Sequence, residues 1–232
     1  MGDYRDVERI GSIALDEASV DTLIKYLETA DLPQTHNVEG DVPSDGNYDA
    51  RGNPGYNKYI LYDDLFVRFF SNPSEYQYFL HEVMHTAPLP LDLGAEDEYL
   101  IKAMIGTIHG FFSEHYKKFF MLRISVSITE QDSSMHYHRD LAGENADRFV
   151  VDLSKPEGKL SGLQVEERLY ELDRLAVYKL DTTREHRAVN YSADCKKISL
   201  IIQGISELAQ YLEYERKHRE VYEAFKHRNF QH

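Results

Sequence analysis

The chain has 232 residues, 42% of them hydrophobic, enough for one sizeable core and hence for one structural domain. With 40 Asp and Glu against 26 Lys and Arg, the formal net charge is −14, which argues against nucleic acid or an anionic membrane as partner; a cationic or zwitterionic small substrate is compatible with it, and its usual meaning is solubility. The single Cys195 excludes an internal disulfide framework, no apolar run approaches membrane-spanning length, and the charged start MGDYRDVERIGS has no signal-peptide core, so a cytoplasmic protein is expected.

Val20, Leu23, Ile24 and Leu27 recur at helical spacing after Ser19, and Leu32-Pro33 closes that helix. Residues 36–57 are polar and turn-rich (GDVPSDGNYDARGNPGYN), too long for a simple connection, and read as either a mobile excursion or a lid. Tyr56, Tyr59 and Tyr62 either close over a substrate or pack the outer face of a sheet. After a short apolar segment at Phe66–Phe70, Asn72-Pro73-Ser74 opens a second helix with Tyr76, Leu80, Val83 and Met84 on one face, ending at Ala87-Pro88. A third helix follows Gly94, its stripe of Leu100, Ala103, Met104, Thr107, Ile108, Phe111, Phe112 and His115 predicted to back onto a sheet.

Past Phe119 the pattern changes. MLRISVSI, RFVVDL, LQVEERLYEL, LAVYKL, HRAVNYS and KKISLIIQGI are short, rich in β-branched residues and separated by the turn clusters GENAD, SKPEGKLSG and SADC. Strands at this spacing predict an antiparallel sandwich or jelly roll. The stretch from Ser206 returns to a charged helical pattern, with Leu208, Leu212, Val221 and Phe225 as its expected buried edge. The expected division is an N-terminal helical and loop region over 1–118, a β core over 119–205 and a C-terminal helix over 206–232, all within one structural domain.

Two motifs compete for a metal. In HEVMH, His81 and His85 fall on one helical face beside Glu82, the core of a zinc hydrolase. A catalytic zinc needs a third protein ligand. The positions where the extended protease pattern wants Gly and His hold Pro88 and Leu91, and Glu98 and Glu114 stand in no supporting motif. The zinc hydrolase is therefore the alternative reading, and a helix with histidines at its solvent edge is the plainer one.

MHYHRD (Met135–Asp140) has more around it. His138 and Asp140 are two apart on a strand or its end, so they point the same way, and His186 follows 48 residues after His138 beside the strand HRAVN. Two imidazoles and one carboxylate on one face of an octahedral ion leave three open positions, the arrangement of non-haem Fe(II) oxygenases. Eleven residues past His186 comes Lys197, then Ser199, alternating onto one face of KKISLII. A buried cation with a neighbouring hydroxyl is what the far carboxylate of a chelating 2-oxoglutarate requires. His136 is a fourth-position ligand, a substrate-binding contact or, more plainly, a strand-entry residue at the cleft rim. Arg123 would be costly to bury alone, so it either pairs with an acid or lines the cleft as a substrate-binding residue.

The order LRIS, HRD, RFVVDL, LDTTREHRAVN and then a basic residue before an apolar strand resembles the Fe(II)/2-oxoglutarate dioxygenases of the aspartyl/asparaginyl β-hydroxylase-like group, which includes free-amino-acid hydroxylases such as the cis-4-proline hydroxylases. The resemblance covers about Phe119 to Ile205. It implies a mainly β fold, a cupin-like double-stranded β-helix backed by N-terminal helices and a C-terminal helix, with His138, Asp140 and His186 as iron ligands. It also implies Lys197 in place of a cosubstrate-binding arginine, with Lys196 as a competing candidate, and Arg148 facing cosubstrate or substrate. Asp140 places the chain nearer the free-amino-acid branch. The implied activity is oxidation of an unactivated C–H bond with Fe(II), 2-oxoglutarate and O2, hydroxylation by default and desaturation or cyclopropane-type ring closure as variants, on a free amino acid or an amino-acid-derived natural-product intermediate. A non-enzymatic jelly-roll binding module is the remaining alternative.

Overall fold

The computed structural model of the chain describes residues 6–32, 56–70, 72–84, 87–89, 95–135, 137–139, 146–154 and 161–230, without the side chains of 65–67, 83, 84 and 230. The expected lid segment therefore lies almost wholly outside the described residues, as do His85, His136 and Asp140.

Strand β1 (Val7–Ser12) leads into helix α1 (Glu17–Thr29). Asp16 caps that helix, its carboxylate accepting from the Ser19 N–H at 3.0 Å, and Val20, Leu23 and Leu27 turn inward as their spacing predicts. Then come β2 (Tyr56–Asp63), α2 (Asp64–Phe69), α3 (Pro73–Met84), the two-residue β3 (Ala87–Pro88) and α4 (Ala95–His115). Eight further strands follow: β4 (Phe120–Thr129), β5 (Ser133–Ser134), β6 (Asp147–Asp152), β7 (Ser161–Val165), β8 (Arg168–Glu171), β9 (Ala176–Leu180), β10 (His186–Asn190) and β11 (Lys197–Ile205). Helix α5 (Leu208–Phe230) is the last of the described elements. Among the described residues no helix is long and apolar enough to cross a membrane.

The strands form a seven-stranded sheet, in the order β1-β9-β6-β11-β4-β2-β3, and a four-stranded sheet, in the order β5-β10-β7-β8. All pairings are antiparallel except β2 with β3. Period-two alternation sorts the side chains of the large sheet. Ile124, Val126 and Ile128 of β4, Phe149 and Val151 of β6, and Ile198, Leu200 and Ile202 of β11 face outward to meet α1 and α4 in the main core. Val150, Tyr178 and Leu180 face inward, toward Leu163 and Val165 of the small sheet. A separate aromatic cluster of Phe70, Tyr76, Phe79, Tyr222 and Phe225 packs on Ile60 of β2.

Several sequence expectations change. The boundary at 118/119 runs through the large sheet, because β1, β2 and β3 come from the part expected to be helix and loop. LQVEERLYEL is a hairpin, β7 and β8, turning at Glu166 with φ 51°. The buried face of α5 is Tyr211, Tyr222 and Phe225, while Leu208, Leu212 and Val221 are exposed. The aliphatics were the wrong guide there: Tyr211 stacks on Phe120, and Tyr222 stacks on Phe69 and meets Phe70 at a tilt, so the tyrosines define the stripe. Near the end of β11 the register with β4 shifts at Gly204, where a Cβ would run into the Phe119 ring; only glycine fits that bulge.

Candidate active site

His186 opens β10, and His138 joins it through an isolated two-way bridge: His138 N–H donates to His186 O at 3.1 Å and His186 N–H to His138 O at 2.9 Å. The two imidazoles lie side by side, ring centroids 4.3 Å apart, and both line a cavity between the sheets. His186 Nδ1 sits 2.9 Å from the Arg184 carbonyl. A carbonyl only accepts, so Nδ1 carries the proton and Nε2 is the nitrogen left to act as a ligand. Among the described residues no third His, Cys, Asp or Glu completes a metal-binding group with them. Asp140, the expected carboxylate, is outside that set. Two adjacent imidazoles, one with its tautomer fixed by a backbone acceptor, fit a divalent transition ion in the donor chemistry they offer.

One turn grips both histidine segments. The Glu166 carbonyl accepts from the Tyr137 hydroxyl, beside His138, while the Glu166 N–H donates to Glu185 O at 2.8 Å, beside His186. The Glu166 carboxylate takes Arg184 in a bidentate pair at 2.8 and 2.6 Å. Arg184 also reaches Asp6 at 3.1 Å, tying the start of the described chain to the loop that ends in His186.

The large sheet presents two polar rows toward the cavity side, each running across β6, β11, β4 and β2. The first is Asp152, Ser199, Ser127 and Lys58. Lys197 leans onto this row: its ammonium donates to Ser199 Oγ at 2.8 Å and meets Asp152 Oδ1 at 2.9 Å, and Ser199 Oγ donates to the same carboxylate oxygen. All three are at most 2% exposed, so burial and mutual pairing go together, as a buried ammonium requires. Lys196 points the other way and pairs with Glu130 at 2.9 Å near the surface. Lys197, Ser199, Lys58 and Tyr56 all line the cavity that holds His138 and His186.

The second row is Arg148, Gln203, Arg123 and Asp63. Asp63 Oδ2 accepts from Arg123 Nε at 2.9 Å and Nη2 at 2.8 Å, and from the Tyr76 hydroxyl at 2.8 Å. Burial, reinforced by the adjacent Asp63 charge, pushes the Tyr76 hydroxyl far above the ordinary tyrosine range, so it stays a donor. Arg123 does not line the cavity. Its expected role in substrate binding gives way to the other one, a buried pair with an acid, because β2 places Asp63 directly across from it. Arg148 does line the cavity, and the Gln203 amide, turned with its oxygen toward the guanidinium, accepts from Arg148 Nη2 at 3.0 Å and Nε at 3.2 Å.

Sequence reading missed Asp152, Gln203 and Lys58. For Lys58 a signal existed: in YNKYILYD, strand alternation puts Tyr56 and Lys58 on one face and Tyr59 on the other, which breaks up the supposed tyrosine set. Tyr59 is indeed in the outer core, its hydroxyl pushed up to about 12 by burial. On α3, the His81 side chain is 80% exposed and bonded to its neighbour Glu82 at 3.0 Å, a surface pair on the solvent side of the helix.

No protein-family model matches the chain, and no curated protein matches it. Among solved structures it is similar to AviO1 from Streptomyces viridochromogenes Tue57, at 11% identity over 88% of this chain and 90% of that one, with a TM-score of 0.48. It is similar to the viral collagen prolyl hydroxylase vCPH of Paramecium Bursaria Chlorella virus-1 in its 2OG complex, at 12% identity, 87% and 97% coverage and a TM-score of 0.47. A third is HygX from Streptomyces hygroscopicus with nickel, 2-oxoglutarate and hygromycin B bound, at 10% identity, 89% and 85% coverage and a TM-score of 0.45.

Proposed function

We propose that the chain is a non-haem Fe(II)/2-oxoglutarate-dependent oxygenase that oxidises an unactivated C–H bond of a free amino acid or an amino-acid-derived intermediate. One observation carries this reading: a pair of cavity-facing histidines and a buried Lys197–Ser199 couple share one cavity between two antiparallel sheets. The alternation of β4 to β11 between those sheets supports a double-stranded β-helix.

His138 and His186, with Asp140 as the proposed third ligand, would hold the iron, which when bound with 2-oxoglutarate and O2 supplies the oxidising chemistry. His186 is held ready by its Nδ1 proton on the Arg184 carbonyl, so no tautomer change is needed for Nε2 to ligate. The ammonium of Lys197 and the hydroxyl of Ser199 would receive the far carboxylate of the cosubstrate, with Lys58 and Tyr56 of β2, two strands away across β4, lining the same cavity. Asp152 keeps that ammonium oriented and neutralised in the absence of ligand. The apolar wall of Val150, Leu163, Leu180 and Ile201 excludes water from the space between.

The test is succinate formation from 2-oxoglutarate with Fe(II). His138→Ala should abolish it and His81→Ala should leave it intact. The reverse pattern would establish the zinc hydrolase, and a wild-type protein that neither binds iron nor gains thermal stability from 2-oxoglutarate would leave a binding module.

A further inference from the structure

We propose that binding of a carboxylate at Lys197 is coupled to the uptake of one proton by Asp152, relayed through the Ser199 hydroxyl; the inference rests on the cosubstrate site proposed above. The hydrogen count of the buried triad supplies the reason. An ammonium only donates and a carboxylate only accepts, so Ser199 Oγ accepts from Lys197 Nζ at 2.8 Å and gives its one hydrogen to Asp152 Oδ1. Lys197 Nζ meets the same carboxylate oxygen at 2.9 Å. In this state the triad is neutral, and Ser199 offers an incoming carboxylate nothing but lone pairs. Of the three ammonium hydrogens, one is left to receive it.

A second carboxylate at that point puts two negative charges beside one ammonium, where Asp152, Lys197 and Ser199 are each at most 2% exposed. Two carboxylates that share a dehydrated site do not both stay ionised; one takes a proton. The packing decides which. Lys197 and Ser199 line the cavity and Asp152 does not, so Asp152 reaches a ligand through the Ser199 hydroxyl. With a proton on Asp152, its O–H donates to Ser199 Oγ, the Ser199 O–H turns to the ligand, and each donor and acceptor of the set is satisfied. The proton comes from solvent; no heavy-atom bond forms or breaks, and nothing is oxidised. Lys58, Tyr56 and Arg148 also line the cavity, and the two cations favour entry of an anion, but neither gives Ser199 a second hydrogen. The His138–His186 pair stands on the facing sheet, for the other end of the cosubstrate. Arg174, bridged to Asp152 by its backbone, turns its guanidinium away to Leu153 O and the Glu17 carboxylate.

The experiment uses the full chain loaded anaerobically with Co(II) and titrates it calorimetrically with 2-oxoglutarate, in buffers of different ionisation enthalpy. The range is about pH 6 to 8, where the carboxylates of 2-oxoglutarate itself stay ionised. In the wild type the heat should vary with the buffer as expected for about one proton taken up. Because the protonated form is the one that binds, the dissociation constant should rise about tenfold per pH unit. An infrared difference spectrum should gain the carbonyl band of a neutral carboxylic acid. Asp152→Asn places an amide where the protonated acid would be, donating to Ser199 and accepting from Lys197, so its affinity should not vary with pH and the band should be absent. Ser199→Ala keeps the Lys197–Asp152 pair and removes the relay, so the uptake should be lost there too, a readout that stands even if Asp152→Asn does not fold. A wild-type heat independent of buffer with a flat pH profile overturns the proposal. So does an uptake that survives in either variant, which puts the proton elsewhere. A loaded wild type that does not bind 2-oxoglutarate at any pH defeats the cosubstrate reading itself, a distinct result.

Discussion

The inner face of the large sheet carries the same device at both ends, put to different uses. At one end Lys197 is buried against Asp152 with a serine hydroxyl on the shared carboxylate; at the other Arg123 is buried against Asp63 with a tyrosine hydroxyl on it. In the first pair Lys197 lines the cavity. In the second neither residue does, and Tyr76 brings the α3 and α5 aromatic cluster up to it. A buried ion pair is by itself weak evidence for a functional site. What separates the two ends is which one has open space in front of its cation.

The comparison is most strongly tested by deleting one partner at the covered end. Asp63→Ala strands the Arg123 charge and should destabilise the protein by about 3–5 kcal/mol, read by urea unfolding, while the folded fraction keeps its 2-oxoglutarate affinity. A loss of that affinity in the folded protein would show that the covered end is part of the binding machinery.

At the open end the effect should move from folding to ligand binding. Lys197→Ala should weaken 2-oxoglutarate binding by about 2–5 kcal/mol, and Lys196→Ala, on the surface with Glu130, should change it little. The double variant Lys197→Met with Asp152→Asn removes both charges, so it should recover stability relative to Lys197→Ala without recovering cosubstrate binding. Binding restored in the double variant would mean that Lys197 serves the fold alone.

The small sheet provides a contrast to both ends. Glu166→Ala removes the bidentate hold on Arg184 and should lower affinity for Fe(II) or Co(II) about tenfold, the usual scale for groups that orient metal ligands, with a changed Co(II) spectrum. An unaltered spectrum would reduce the Glu166 turn to a structural hairpin.

The smallest effect is a pH dependence. Burial raises the Tyr59 hydroxyl to about 12 in the folded chain from an ordinary value of 10.0. Because the folded pKa is the higher one, its contribution to stability is complete below pH 10 and is lost as pH rises from there through about 12. Tyr59→Phe should flatten that part of the alkaline stability profile.

Helices α1, α3 and α4 were legible in the sequence because each buries one stripe of large aliphatic or aromatic residues at helical spacing. Strands β4, β6, β9, β10 and β11 were legible because β-branched runs end in turn clusters. His138, His186, Lys197 and Ser199 were legible as chemistry at fixed spacing, and the structure brings all four to one cavity. Asp152 and Gln203 were not, because their roles depend on cross-strand register: Asp152 meets Ser199 across 47 positions of chain. Arg123 left two options open for the same reason. Nothing local to MLRISVSI points to Asp63, 60 positions earlier.

The pairing of β2 along β4, from Tyr56 opposite Thr129 to Asp63 opposite Arg123, bears on how the protein can be cut. A fragment of residues 119–205 would keep both proposed metal histidines and the cosubstrate lysine, yet lose β1 from one flank of the large sheet and β2 from the other. Its two borders would then be rows of bare N–H and C=O groups on the ten-residue β4 and the five-residue β9, each a template for a second copy. Such a fragment is expected to grow by edge-to-edge addition into aggregates, so β1 and β2 act as solubility guards, and β2 is a wall of the cavity as well.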